Sequence, residues 1–379
     1  MLNTEQLIEK ARRVTGLLNF GGDSFRVGLE RAVLSANAES RMNPRGWAML
    51  EGKLVMLLSN RLRIENWYER YPEIEAQQIV APLIGLSLPR TGSTALGCNL
   101  AEDPAMRSLL MWEANAPCPP PETTTYRTDP RIAELGKRME TSDQLYPRMK
   151  VMLPHSPTAV AEDLNLLGFD LKWQTLLPSA RVPGYADWLL NEADLVTGYQ
   201  YMKRALKLLQ WRCPGKRWQL KSPCHLPFIS ALNQVFPDAK FWMIHRDVAE
   251  VLPSVVDIYH ELLRPTTDEV DAQYIFEVTT NYWTVGLKRT LAFRDAGNEH
   301  RFIDLEFREF QRDPESSIRR LYDFLEEPLT DDARDRMREW RSGAARDTHG
   351  KHVLDTIAAS VDLDAVRSHF EFYSRRFLS

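Results

Sequence analysis

The fold of this chain is decided by residues 79–94, which read IVAPLIGLSLPRTGST. Residues 79–86 are mainly apolar and are typical of a buried strand. A short turn that contains Gly92 follows, and residues 95–102 have the composition of a helix. A strand, a turn and a helix in this order direct unpaired backbone N–H groups and the positive end of a helix dipole to one place. The stretch therefore predicts a phosphate-binding turn.

The turn carries a guanidinium, on Arg90, and hydroxyl groups on Ser93 and Thr94. A Walker A loop has the pattern GxxxxGK[ST], in which the lysine reaches the β- and γ-phosphates. Here six residues separate the two glycines, and no lysine precedes the serine. We therefore expect a phosphate ligand other than ordinary ATP or GTP. For the turn taken alone, a helix N-cap at Thr91 or Ser93 is the alternative interpretation.

Two further cationic residues follow strand-like stretches later in the chain. Residues 217–220 lead to Lys221, and residues 240–245 lead to Arg246, with Ser254 eight residues further along a predicted helix. An arginine at a strand end and a serine on the next helix can bind one phosphate together. Because the carboxyl ends of parallel strands meet at one edge of a sheet, we expect these side chains to lie beside the first turn.

Together these residues resemble the sulfotransferases that use 3′-phosphoadenosine 5′-phosphosulfate (PAPS). Residues 89–94 look like the family's 5′-phosphosulfate loop, which implies cofactor contacts from Arg90, Thr91, Gly92, Ser93 and Thr94. Arg246 with Ser254 looks like the family's 3′-phosphate site, and residues 221–223 look like its lysine-bearing segment. The resemblance runs from about residue 79 to the C-terminus and is closest to a bacterial branch.

The resemblance implies transfer of a sulfuryl group from PAPS to a hydroxyl or amine of a small, largely apolar acceptor. Lys221 would stabilise charge on the bridging oxygen, and with two cations on the leaving group no metal is required. The family also places a basic, glycine-containing late loop over the 3′-phosphate, which implies a contact from Lys351.

The group that accepts the proton is left open between several residues. Glu113 resembles the catalytic glutamate of tyrosylprotein-type members, and burial beside Trp112 would make its carboxylate a stronger base. His225 resembles the histidine of the lysine-bearing segment in cytosolic members, and imidazole titrates nearer to neutrality. Glu113 is our first choice and His225 the second, followed by a group such as His155 or Glu162. The alternative is that Glu113 and His225 only satisfy helix ends.

Apolar periodicity and strand-like runs predict an α/β fold, a P-loop-like parallel sheet flanked by helices. We expect an N-terminal helical appendage over residues 1–76, which covers the acceptor pocket or joins subunits, and an α/β domain over residues 77–379. The domain would contain a long helical insertion at about 123–215. Strands are predicted at 78–88, 107–112, 217–221, 240–245 and 301–306.

Composition narrows the class of protein. The chain has 379 residues, 44% of them hydrophobic, and a net charge of −4, which gives no support to binding of nucleic acid or an anionic membrane. The four cysteines have no zinc-binding spacing, and no apolar stretch is long enough to span a bilayer. We therefore expect a cytoplasmic protein with a small-molecule acceptor, no metal and no nucleic-acid partner. Homo-oligomerisation is left open.

Two other functions compete with sulfuryl transfer. The first is a P-loop-type nucleotide kinase or NTPase, which the missing Walker lysine and the lack of a convincing Walker B aspartate argue against. The second is a non-catalytic protein that binds the nucleotide without turnover. The cationic residues at the three strand ends favour a nucleotide site but do not by themselves prove chemistry.

Overall fold

A computed structural model of the chain describes residues 1–152, 156–344 and 361–378. Five strands lie within these residues: β1 Leu83–Gly85, β2 Met106–Ser108, β3 Arg217–Lys221, β4 Lys240–His245 and β5 Phe302–Glu306. They form one sheet in the order β2-β3-β1-β4-β5, and all neighbouring pairs are parallel. The predicted P-loop-like α/β fold is confirmed.

Helices surround this sheet. In chain order, the α-helices of the described residues are α1 Thr4–Thr15, α2 Ser24–Glu39, α3 Pro44–Arg70, α4 Ser93–Ala101, α5 Met111–Asn115, α6 Pro130–Leu145, α7 Met149–Met152, α8 Leu164–Leu167, α9 Pro183–Asn191, α10 Leu195–Gln210, α11 Ile229–Val235, α12 Val248–Leu263, α13 Ala272–Phe293, α14 Phe307–Arg312, α15 Pro314–Leu325, α16 Asp331–Ala344, α17 Leu363–His369 and α18 Glu371–Phe377. Short 3₁₀ turns occupy Pro72–Ala76, Gly168–Asp170, Gln174–Leu176, Pro223–Phe228 and Glu299–Arg301.

Strand β1 lies at the centre of the sheet, and this position organises the site. Ile84 is aligned with Leu220 of β3 on one side and with Phe241 of β4 on the other. A Cβ atom at Gly85 would lie 2.3 Å from the ring of Trp242, so only glycine allows this close approach. Because β3 and β4 flank β1 in parallel, the segments that follow all three strands emerge side by side.

Both faces of the sheet are covered, as is usual for parallel strands. Successive residues of β4 point to opposite faces. Phe241 and Met243 pack in a large core with side chains from α1, α2, α3 and α10. Trp242 and Ile244 pack in a smaller core with side chains from α4 and α15. Helices therefore pack against both faces of the sheet.

The N-terminal helices share the large core with the sheet. Leu7 and Ile8 of α1 are buried in the same core as Ile84 of β1. Arg61 of α3 pairs at 2.9 Å with Asp170 of the insertion, and both side chains are buried. Helices occupy most of residues 1–76. The domain boundary at residue 76 stays a prediction.

Several predicted boundaries were wrong. The first strand spans only Leu83–Gly85 instead of 78–88. The second ends at Ser108 instead of residue 112, and Met111–Asn115 forms helix α5. That helix begins there because the carboxylate of Glu113 accepts a hydrogen bond from the backbone N–H of Leu110, at 3.0 Å. Glu113 therefore lies in a helix rather than at a strand end.

No helix in residues 1–152, 156–344 and 361–378 combines the length and apolar character that a membrane span requires. The same residues contain no cluster of three histidine, cysteine, aspartate or glutamate side chains arranged to hold a metal ion. The cytoplasmic location and the homo-oligomer stay open predictions of the sequence.

Candidate functional site

The turn after β1 has the geometry expected of an anion site. Thr91 Oγ1 donates a hydrogen bond to the carbonyl of Leu88 at 2.8 Å, which closes the turn. Gly92 has φ 84°, and a Cβ atom there would lie 3.2 Å from the ring of Phe307. Helix α4 begins at Ser93, and its first N–H groups have no intrahelical partners. These groups and the helix dipole point to one place beyond the turn.

Arg90 joins this turn to the segment after β4. Its Nε donates to Ser254 Oγ at 3.0 Å, and its carbonyl oxygen accepts from Arg246 Nη1 at 2.9 Å. Arg90 therefore lies beside two residues that are 156 and 164 positions away in the sequence. Burial and the nearby charge of Arg246 lower the pKa of Arg90, which is the situation that a bound anion would relieve.

Lys221, the last residue of β3, reaches the same turn. Its Nζ donates to Thr94 Oγ1 at 3.2 Å and to Glu162 Oε1 at 2.7 Å. The lysine side chain is only 4% exposed, whereas that of Glu162 is 35% exposed. The three cations predicted from the sequence thus meet around one turn at the carboxyl edge of the sheet.

A cavity of about 840 Å³ opens beside Arg246. The guanidinium of Arg246 lies over the ring of Phe307, 4.3 Å from its centre, and its Nε donates to Glu250 at 3.0 Å. The other charged side chains that line the cavity are Arg308, Arg367, Asp247, Glu306 and Glu371. Since Phe307 also contacts the turn at Gly92, the cavity borders the predicted anion site and is large enough for a nucleotide.

Glu113, the first choice for the base, is buried in a network of its own. Its carboxylate pairs with both terminal nitrogens of Arg107 and accepts a hydrogen bond from Tyr126 Oη at 3.0 Å. Burial alone would lower the pKa of Arg107, but the charge of Glu113 raises it. Together with its contact to Leu110, these bonds occupy both carboxylate oxygens. The geometry therefore supports a structural role for Glu113.

His225, the second choice, is also fully buried. Its Nε2 lies 3.0 Å from both carboxylate oxygens of Asp163, and its Nδ1 lies 2.9 Å from Tyr199 Oη. Burial alone would lower the pKa of His225, but the Asp163 carboxylate raises it well above its usual value. Both ring nitrogens of His225 are therefore engaged by buried partners. The geometry favours a structural role here as well.

Glu162, which the sequence suggested only as a third possibility, is the carboxylate that contacts Lys221. It is followed directly by Asp163, the partner of His225. The only signal in the sequence is this pair of adjacent acidic residues in an otherwise mainly apolar run, residues 159–169. The two other site predictions, Lys351 and His155, lie outside the described residues.

A family model described as the sulfotransferase family matches residues 82–332, which is well over half of the chain. The chain belongs to the sulfotransferase family. The matched region includes all five strands and the residues Arg90, Glu162, Lys221, Arg246 and Ser254 of the candidate site. This assignment favours the predicted sulfotransferase over the nucleotide kinase or NTPase.

Solved and curated sulfotransferases support the assignment. Sulfotransferase STF9 from Mycobacterium avium superposes with a TM-score of 0.90 at 30% identity, covering 100% of this chain and 97% of that chain. STF1 from Mycobacterium tuberculosis H37Rv gives a TM-score of 0.86 at 26% identity, covering 97% of this chain and 98% of that chain. Omega-hydroxy-beta-dihydromenaquinone-9 sulfotransferase Stf3 from Mycobacterium bovis is 38% identical over 171 residues. That match spans 42% of this chain and 42% of the length of Stf3.

Proposed function

We propose that this sulfotransferase uses PAPS as donor and transfers the sulfuryl group to a hydroxyl, or an amine, of a small, largely apolar acceptor. The observation that carries the proposal is the meeting of Arg90, Lys221 and Arg246 at one turn. Three cations from the ends of three adjacent strands suit a ligand with more than one anionic group. PAPS carries such groups at both its 5′ and its 3′ ends.

The residues present fit the two ends of this donor. The turn amides, Thr91, Ser93 and Thr94 would hold the 5′-phosphosulfate at the N-terminus of α4. Arg246 and Ser254 would hold the 3′-phosphate, and Arg90 would contribute to binding between them. The cavity beside Arg246 and Phe307 would accept the adenosine. Lys351 stays a predicted contact of the 3′-phosphate.

When bound, PAPS supplies a sulfuryl group on a phosphosulfate anhydride. Lys221 would stabilise the negative charge that develops on the bridging oxygen, since its Nζ already faces Thr94 of the turn. A carboxylate that takes the acceptor's proton must lie close to Lys221 and the turn, where the sulfuryl group is transferred. Glu162 meets this condition and is partly open to solvent, so we assign it the role of general base. Glu113 and His225 are fully buried in other contacts.

The acceptor class has support from one relative. The name of Stf3 states omega-hydroxy-beta-dihydromenaquinone-9 as the compound on which that enzyme acts. This is a hydroxyl compound, and it favours a hydroxyl over an amine as the acceptor group here.

The test is incubation of the protein with PAPS and a metabolite extract, followed by mass spectrometry of sulfated products. We expect new sulfate esters with the wild type and almost none with Lys221→Met. Binding of adenosine 3′,5′-bisphosphate, measured by calorimetry, should accompany this transfer. Binding without any transfer would support the non-catalytic alternative. Transfer of phosphate from ATP and Mg²⁺ would overturn the proposal.

A further inference from the structure

A second ion pair lies directly beside the contact between Lys221 and Glu162. Asp163, the residue after Glu162, has both carboxylate oxygens 3.0 Å from Nε2 of His225, and both side chains are fully buried. Complete burial of two such groups is costly unless each satisfies the other. Neither side chain is open to a ligand, so a role of this pair in the reaction must be exerted through its neighbours.

Both ion pairs connect the same two segments of the chain. Lys221 ends β3, and His225 follows four residues later, in the 3₁₀ turn Pro223–Phe228. On the other segment, Glu162 reaches Lys221 while Asp163 reaches His225. Because Glu162 and Asp163 are adjacent, the contact between Asp163 and His225 determines where the backbone of Glu162 lies relative to Lys221.

His225 is held on its other side as well. Its Nδ1 lies 2.9 Å from Oη of Tyr199, a fully buried residue of α10. The segment that carries the imidazole is joined to the central strand, since the N–H of Ser222 donates to the carbonyl of Gly85 at 3.2 Å. The imidazole is therefore a fixed point in the core, and Asp163 is attached to it.

Glu162 lies between two anchored residues. On one side, the N–H of Ala161 donates to the carbonyl of Leu109 at 2.8 Å. On the other side, the carboxylate of Asp163 is bound to His225. Asp163 precedes helix α8, but its carboxylate makes no capping hydrogen bond to residues 164–167, so its contact with the imidazole is what it adds here. Between these anchors the side chain of Glu162 stays 35% exposed.

On the basis of the proposed function, in which Glu162 takes the acceptor's proton, we propose that Asp163 and His225 are positioning residues for the transfer. The buried pair fixes the backbone at residue 162 and so keeps the carboxylate of Glu162 beside Lys221 and the turn. Neither Asp163 nor His225 exchanges a proton with the acceptor. A displacement of a reacting group by about 1 Å can cost about 100-fold in rate, so the loss of such an anchor is measurable.

The first test asks whether Asp163 acts through Glu162. Asp163→Ala should lower the rate at which sulfate esters form from PAPS and a metabolite extract by about 20-fold or more. The affinity for adenosine 3′,5′-bisphosphate should stay within about threefold of wild type, because the proposed nucleotide contacts are untouched. In a Glu162→Gln background the same replacement should change the rate by less than about threefold, since no base remains to be displaced. Equal losses in the two backgrounds would overturn the inference.

Further variants separate positioning from a general loss of structure. Asp163→Asn keeps a group that can hydrogen-bond to the imidazole, so the rate should recover to within about fivefold of wild type. Asp103→Ala is the matched control, because it removes another buried aspartate, whose carboxylate accepts from Tyr322 Oη at 2.5 Å. It should keep the wild-type rate. If Asp163→Ala did not fold, His225→Asn, which shortens the partner of Asp163, should lose rate in the same Glu162-dependent way, and equal losses in both backgrounds would again overturn the inference.

The second test does not require turnover. Crystal structures of the wild type and of Asp163→Ala, both without nucleotide, measure the distance from Lys221 Nζ to Glu162 Oε1. We expect this distance to exceed about 4 Å in the variant, which is the limit for an ion pair. An unchanged contact of 2.7 Å would overturn the inference and leave the proposed function in place. A displaced Glu162, in a protein whose wild type transfers nothing from PAPS, would support the anchor and contradict the proposed function.

Discussion

Nζ of Lys221 lies 2.7 Å from Oε1 of Glu162. The next residue, Asp163, pairs with His225, which is four residues after the lysine. Two adjacent ion pairs therefore join the segment after β3 to residues 162–163 of the insertion. The side chains of Asp163 and His225 are both fully buried, whereas that of Glu162 is 35% exposed. This arrangement holds Glu162 beside the turn and leaves its carboxylate partly exposed.

Replacement of Glu162 tests its role as base. Glu162→Gln keeps the size of the side chain but removes the proton acceptor, so kcat should fall by about 10²- to 10⁴-fold. Affinity for adenosine 3′,5′-bisphosphate should be unchanged or slightly higher, since the carboxylate no longer competes for Lys221. Steady-state kinetics and calorimetry measure the two effects. A wild-type kcat in this variant would exclude Glu162 as the base.

Replacement of Glu113 separates a structural role from a catalytic one. Glu113→Gln leaves Arg107 buried without its carboxylate partner, and the free energy of unfolding should fall by about 3 kcal/mol. Urea denaturation measures this loss. The folded fraction should keep a kcat within a few-fold of wild type. If stability were unchanged while kcat fell 100-fold or more, Glu113 would be the base, as the sequence first suggested.

Arg246→Ala tests the predicted 3′-phosphate contact. The variant loses a guanidinium and the hydrogen bond to the carbonyl of Arg90, so affinity for adenosine 3′,5′-bisphosphate should fall by about 1.5–3 kcal/mol. Arg90→Ala should show a loss of similar size. The control is Arg375→Ala, which removes a 76% exposed arginine paired only on the surface with Glu371. Near-wild-type affinity in Arg246→Ala would remove this residue from the site.

The buried His225 makes stability depend on pH. In the unfolded chain a histidine loses its proton near pH 6.5, but in the folded protein Asp163 raises the pKa of His225 well above that value. Its contribution to stability is therefore fully present below about pH 6.5 and is lost as pH rises through the folded pKa. Between these limits the free energy of unfolding should fall by about 1.4 kcal/mol per pH unit.

Urea denaturation between pH 6 and pH 9 measures this slope. The contribution of His225 is the slope of the free energy of unfolding against pH in the wild type minus the same slope in His225→Gln. His300→Gln, at an exposed histidine, serves as the control and should keep the wild-type slope. The same slope in His225→Gln and in the wild type would show that His225 is not the titrating group.

The turn after β1 and the placement of the cations could be predicted because each depends on a short stretch of chain. Apolar runs before Arg90, Lys221 and Arg246 indicate strand ends, and parallel pairing then places these residues at one edge. The surroundings of the acidic residues were harder to predict. Glu113 was assigned to a strand end, but a carboxylate that caps its own helix and pairs with Arg107 looks the same in the sequence as a catalytic one.

The sequence by itself determined the order of strand, turn and helix, the chemistry of the cationic residues and membership of the sulfotransferase family. These follow from local patterns of apolar, glycine and basic residues. Only the tertiary structure decided which carboxylate faces Lys221. Glu162 is 59 residues away along the chain, and its contact depends on how the long insertion folds over the edge of the sheet. Burial and pairing, which no local pattern specifies, place Glu113 against Arg107 and His225 against Asp163.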